Sequence, residues 1–88
     1  MFAQEPLHNV MPDEGLVPTA DVAIQIAVAV WEPIYGVENI QRQKPFKATL
    51  TNGVWFVEGS LPKRMLGGVA LAEVSKRDGR VLRVSHGK

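Results

Sequence analysis

Apolar and polar positions alternate most regularly in PFKATLTNGVWFVEGSLP, residues 45–62. Two alternating runs joined only by Asn52-Gly53 predict a β-hairpin with a type I′ turn, because both central residues of that turn need positive φ and Asn and Gly tolerate it. The turn sets the register. Thr51 faces Val54, Leu50 faces Trp55, Ala48 faces Val57 and Lys47 faces Glu58, so Phe46, Ala48, Leu50, Trp55 and Val57 share one sheet face. Val54 and Phe56 fall on the other.

Residues 69–75 and 80–85 repeat the two-residue period around Lys76-Arg77-Asp78-Gly79, where Asp then Gly suits a type I turn ending in a bulge. With that bulge Val74 meets Leu82. Ala70, Ala72, Val74, Leu82 and Val84 then line one face, while Glu73, Ser75, Arg83 and Ser85 point away. Gly67-Gly68 frees the backbone to re-enter the sheet.

Upstream the period changes to 3.6. Pro18-Thr19 opens a helix, with Thr19 as cap and Asp21 near the positive end of the macrodipole. Val22, Ala23, Ile26, Ala27 and Val30 form an apolar stripe that Ile34 continues. Pro33 predicts a kink or stop near Trp31 and Glu32, since it lacks a backbone donor and crowds the preceding turn. Gly36 is a natural terminus, residues 37–41 supply one further turn, and Pro45 enforces extended backbone on Lys44. The helix then has a sheet to cover. The pattern predicts an α+β fold: one N-terminal amphipathic helix packed on a four-stranded antiparallel meander, because each apolar face needs a partner layer.

Residues 1–17 show neither period and carry Pro6, Pro12 and Gly15. They read as an irregular arm, from which Val10, Met11, Leu16 and Val17 pack on the body, preceding a single helix-plus-sheet domain over 18–88. An 88-residue chain buries roughly 60–65% of the surface exposed when unfolded, so one core must hold it. With no cysteine, disulfides, thiolate chemistry and sulfur-rich metal sites are excluded. The longest apolar stretch, residues 22–31, is far short of the ~20 residues a spanning helix needs. The first ten residues lack a basic segment followed by an apolar one, which predicts a cytoplasmic location for the chain as given and a periplasmic one if it is a trimmed mature form.

Charge and chemistry narrow the function classes. A net charge of +1, from 10 basic and 9 acidic groups, argues against nucleic-acid binding by broad phosphate neutralisation. The bases Lys63, Arg64, Lys76, Arg77, Arg80, Arg83 and Lys88 crowd the second half, where a solvated sheet edge accounts for them. His8 and His86 have no cysteine or helix-spaced carboxylate beside them, so no metal site is expected. Ser85 and His86 are strand neighbours pointing to opposite faces, which rules them out as nucleophile and base. Lys47 opposite Glu58 reads as a cross-strand ion pair, and Gly67-Gly68 lacks a phosphate loop's lysine and its strand-to-helix context. No catalytic residue and no cofactor is expected. The aromatics carry more information. Both faces of residues 54–57 are partly apolar, so either the arm or the 61–68 loop covers Val54 and Phe56, or they form an exposed protein-binding patch. Tyr35, Phe56, Arg64 and Met65 are the candidate contact residues, being types that dominate interface energetics or lying beside them. A deep pocket lined by Trp31, Tyr35 and Trp55 would instead favour a small ligand.

TADVAIQIA, WEPIYG, QKPFKATLTNGVWFVEGSLP and GGVALAEVSKRDGRVLRVSHGK, taken in order over residues 18–88, resemble the NTF2-fold immunity protein family, with its YbbC/YhhH-type members. The distinctive pieces are Pro33-Ile34-Tyr35-Gly36, Asn52-Gly53-Val54-Trp55, Gly59-Ser60-Leu61-Pro62, Gly67-Gly68 and His86-Gly87-Lys88. The resemblance implies a reduced NTF2-like or cystatin-like version of the predicted fold. It implies a non-enzymatic bacterial protein that binds and neutralises a cognate polymorphic toxin domain, often at Rhs-type loci, with no catalytic residues carried over. A weaker resemblance, to PepSY-type envelope modules, rests on the helix, the hairpin and VSKRDGRVLRV. That pattern lacks the WEPIYG and GSLP pieces.

Overall fold

The structure, a computed structural model, describes residues 9–61 and 67–87. Thr19 starts helix α1 (Ala20–Tyr35), its hydroxyl accepting from the Val22 N–H at 3.3 Å. Of the kink or stop expected near Trp31 and Glu32, the stop does not occur: the helix runs through Pro33 to Tyr35. The carbonyl that loses its donor there belongs to Ala29, which is exposed, so water can replace the missing bond. Gly36 ends the helix at φ 94° with its N–H on the Glu32 carbonyl at 2.8 Å, and helix α2 (Val37–Gln41) follows.

The apolar stripe is also rotated from its expected position. Ala23, Ala27 and Trp31 are the residues of α1 that are buried, whereas Val22, Ile26 and Val30 are half-buried and Ile34 is 58% exposed. Alanines permit close approach of helix to sheet, and the Trp31 indole fills the space beyond them.

Strands β1 (Lys47–Thr51), β2 (Val54–Glu58), β3 (Ala70–Ser75) and β4 (Val81–His86) pair antiparallel in chain order. The first hairpin has the predicted register at all five pairs, with Asn52 at φ 49° and Gly53 at φ 77°. In the second, Ala72 faces Val84 and Glu73 faces Arg83, but Val74 faces Val81, not Leu82. The Ser75 and Gly79 N–H groups close the 76–79 turn on the carbonyls of Arg80 and Ser75. That closure sets Val81 opposite Val74 and displaces the extra residue from the turn to Leu82 within the strand. Leu82 is consequently 46% exposed and does not line the core face.

The core lies between α1 and the sheet and comprises Val17, Ala23, Ala27, Trp31, Ile40, Trp55, Val57, Ala70, Ala72 and Val74. Both indoles are satisfied inside it: Trp31 Nε1–H donates to the Leu71 carbonyl at 3.1 Å and Trp55 Nε1–H to that of Val17 at 2.8 Å. Residues 9–17 contain no helix or strand. The N–H groups of Leu16 and Val17 bind the carbonyls of Arg77 and Lys76, both at 2.9 Å, beside the β3–β4 turn. Only Val17 is buried; Val10, Met11 and Leu16 stay exposed, against the expectation that all four pack on the body.

Candidate protein-binding face

Strand alternation gives the sheet a second face, turned away from α1, and the registers assign its rows. Lys47, Glu58, Leu71 and Ser85 form one row, and Thr49, Phe56, Glu73 and Arg83 the next. Phe56 and Leu71 are diagonal neighbours at its centre, 42% and 38% exposed. They share a groove of about 240 Å³ with Thr49, Glu58, Glu73 and Arg83. The groove has an apolar floor and a charged margin. Arg83 Nη1 lies 3.6 Å from Glu73 Oε2, whereas Lys47 and Glu58, though in register, form no ion pair among the described residues. That corrects the expected cross-strand bridge; the solvated ends of two flexible side chains gain little by meeting.

The candidate contact residues do not form one cluster. Phe56 sits in the groove, but Tyr35 lies on the α1 side of the sheet, its ring packed on that of His86 with centroids 4.9 Å apart. Arg64 and Met65 fall outside the described residues. Residues 9–17 reach the β3–β4 turn and leave Phe56 exposed, so that part of the arm is not its cover. Leu71 is absent from the sequence-derived candidates, although alternation from Ala70 and Ala72 places it beside Phe56. Trp31 and Trp55 are packed in the core rather than lining a deep pocket with Tyr35, and the small-ligand expectation loses its site.

Several distinctive sequence pieces prove to be structural. Gln43 is the buried polar residue of the core region, 5% exposed, and no sequence signal marked it. Its Oε1 accepts from the Ala70 N–H at 2.8 Å, its Nε2 meets His86 Nε2 at 3.0 Å, and its carbonyl accepts from the Ser60 N–H at 2.7 Å. A Cβ on Gly59 would run into this side chain, and one on Gly68 would strike the backbone of Gly87. Gly59, Ser60, Gly68 and His86-Gly87 therefore join the strand ends to one another and to the α2–β1 connection. At the far end of the sheet the Asp78 carboxyl is held below its ordinary range, first by the Arg80 backbone N–H at 3.0 Å and then by the Ser75 hydroxyl.

Among the described residues no group of His, Cys, Asp and Glu side chains is placed to hold a metal, and no helix is long and apolar enough to cross a membrane. The fold, with a sheet face that the other described residues leave exposed, defines a small α+β domain, a helix on an antiparallel sheet, consistent with an NTF2-like fold. Residues 22–88 match the NTF2 fold immunity protein family, and the chain belongs to it. It is 34% identical over 75 residues to the uncharacterized protein YhhH of Escherichia coli strain K12, an alignment covering 84% of this chain and 59% of that protein. It is 37% identical over 76 residues to the uncharacterized protein YbbC of the same strain, covering 85% and 62%. The chain thus spans about three-fifths of the length of these curated relatives. No solved structure matches it significantly.

Proposed function

We propose that this chain is a non-enzymatic immunity protein that binds a cognate bacterial toxin domain, of the Rhs-type or secretion-system-delivered kind, and neutralises it by steric occlusion. The observation that carries the reading is a sheet face left exposed among the described residues: an apolar pair, Phe56 and Leu71, in a groove edged by Glu58, Glu73 and Arg83, on a chain of an immunity family. An aromatic residue ringed by contacts that add little energy of their own but exclude water is the usual form of an interface anchor. The charges at its margin act on encounter rate and choice of partner more than on raw affinity. No chemistry is asked of the protein beyond occupying the toxin's working surface. Tyr35, on the opposite side, belongs in this reading to the body of the domain rather than to the contact.

Co-expression with the toxin domain encoded immediately upstream tests the reading. Growth is restored and the two proteins co-purify if it holds; an unprotected host with no complex contradicts it.

A further inference from the structure

The sheet has two edges, and they are built differently. At β4 the register breaks between Glu73 and Val74, with Leu82 extruded and Arg83 beside it, which are devices that discourage another strand from pairing. At β1 five consecutive residues pair regularly with β2, the strand holds no proline, and its one charge, Lys47, is at its first position. Nothing in β1 blunts the edge.

The two-residue turn determines which β1 groups face outward. Thr51 and Val54 flank it as a hydrogen-bonded pair, so Thr49 and Lys47 also bond to β2, and the N–H and C=O groups of Ala48 and Leu50 point away from the sheet. Among the described residues no strand lies beyond them. Side chains add a second asymmetry. On the α1 side of this edge a small residue, Ala48, stands two positions from a large one, Leu50, which is 43% exposed.

We propose that the β1 edge pairs antiparallel with β1 of a second copy of this chain, about a two-fold axis through Thr49, to give a continuous eight-stranded sheet. In this register Ala48 and Leu50 exchange backbone hydrogen bonds with Leu50 and Ala48 of the other copy, four bonds in all. Each exposed Leu50 then lies against a small Ala48. Thr49 meets its own copy on the outer face, as a threonine pair of the kind that stabilises sheets, and each Lys47 faces a Thr51 rather than another lysine. An axis perpendicular to the sheet keeps both α1 helices on one side. There α1 crosses β1, β2 and β3. Its flank bearing Tyr35 packs toward His86 of β4, so the opposite flank, the half-buried Val22, Ile26 and Val30, is turned toward the axis. The outer face with Phe56 stays open on both copies, which keeps this pairing independent of toxin binding. Five paired residues and one helix flank make an interface smaller than the roughly 1,200–2,000 Å² of stable complexes, so the pairing is concentration-dependent.

Sedimentation velocity from about 5 µM to 1 mM, a span chosen to bracket the affinity of a small interface, reads the association. A species of twice the 9.7 kDa chain mass should grow over that range and vanish in Leu50→Lys, with near-ultraviolet dichroism of the buried tryptophans reporting that the variant is folded. The chain has no cysteine, so single substitutions locate the axis. Thr49→Cys should give a disulfide-linked dimer under mild oxidation, because non-hydrogen-bonded partners sit about 4.5 Å apart at Cα, within disulfide range. Lys47→Cys and Thr51→Cys should not. A monomer throughout the range, a dimer indifferent to Leu50→Lys, or preferential cross-linking at position 47 or 51 overturns the proposal. So does protection of the β1 edge from hydrogen exchange only after the toxin domain is added, which would make the added strand the toxin's.

Discussion

The two faces of one strand differ more than most pairs of regions in this molecule. Val57 points under α1 and is 1% exposed; Phe56, its neighbour, points the other way and is 42% exposed. On the first face Trp31, Trp55 and Val57 are buried, and both indole N–H groups find backbone carbonyls. On the second an aromatic and a leucine share a groove with three charged residues. Folding accounts for the first arrangement, since burial of its apolar groups is what holds the chain. It does not account for the second, where Phe56 could be threonine at little cost to the core. Residues that folding leaves unexplained are where binding is to be sought.

The contrast can be broken hardest on the helix face. Trp31→Ala removes the largest fully buried side chain and should cost about 3–5 kcal/mol, a large share of a domain's ~5–15 kcal/mol margin. Chemical denaturation followed by far-ultraviolet dichroism measures it, and a loss below about 1 kcal/mol would mean the core is not built around this indole. Gly59→Ala comes next. Its methyl group meets the Gln43 side chain, and either the amide's bonds to Ala70 and His86 or the local backbone must yield, for about 1–3 kcal/mol. Gly53→Ala, by comparison, has open space but a φ of 77°, so the two variants separate crowding from backbone strain.

Effects on the outer face should be small for stability. Arg83→Ala removes one end of the Glu73 pair, which lies 3.6 Å away and is largely solvated on the arginine side; the change should stay within about 1 kcal/mol by the same denaturation measurement. Smallest of all is the Asp78 turn. Its carboxyl is held below the ordinary value of 3.8 by the Arg80 N–H, so its contribution is fully present above that value and is lost as pH falls through the lowered one. A carboxyl-carbon titration by NMR should place its midpoint below 3.8. A midpoint at or above that value would show that the turn does not hold the charged form.

Much of this was legible in the sequence, and unevenly so. Asn52-Gly53 carried the first hairpin to the residue, because a two-residue turn leaves no freedom of register. The second hairpin was read correctly for Ala72 with Val84 but not for Val74, since a four-residue turn can place its extra residue in the loop or in the strand, and backbone closure decides which. Hydrophobic periodicity overestimated Val22, Ile26 and Val30 because it weighs side-chain size, whereas Ala23 and Ala27 win the interior by permitting close approach. Pro33 was read as a kink or a stop because its own missing donor is visible in sequence; the stop does not occur because Ala29 is exposed, and that exposure is not visible there. Alternation alone separated Phe56 from the core. It could not tell that Tyr35 lies on the other side, which depends on where α1 ends relative to β4. Gln43 left no trace, as its side chain's value lies in two partners distant in the chain, Ala70 and His86.

In the proposed function the Phe56 face serves binding rather than folding. Phe56→Thr keeps a strand-forming residue, so affinity and stability can be read on the same protein. Titration of the purified chain with the partner that the proposed function assigns to it, the product of the adjacent upstream reading frame, alongside denaturation of each variant, makes the test. Affinity should fall at least about tenfold, or ~1.4 kcal/mol, with unfolding free energy changed by less than ~1 kcal/mol. Unchanged affinity together with a large fall in stability would contradict it and return Phe56 to the core.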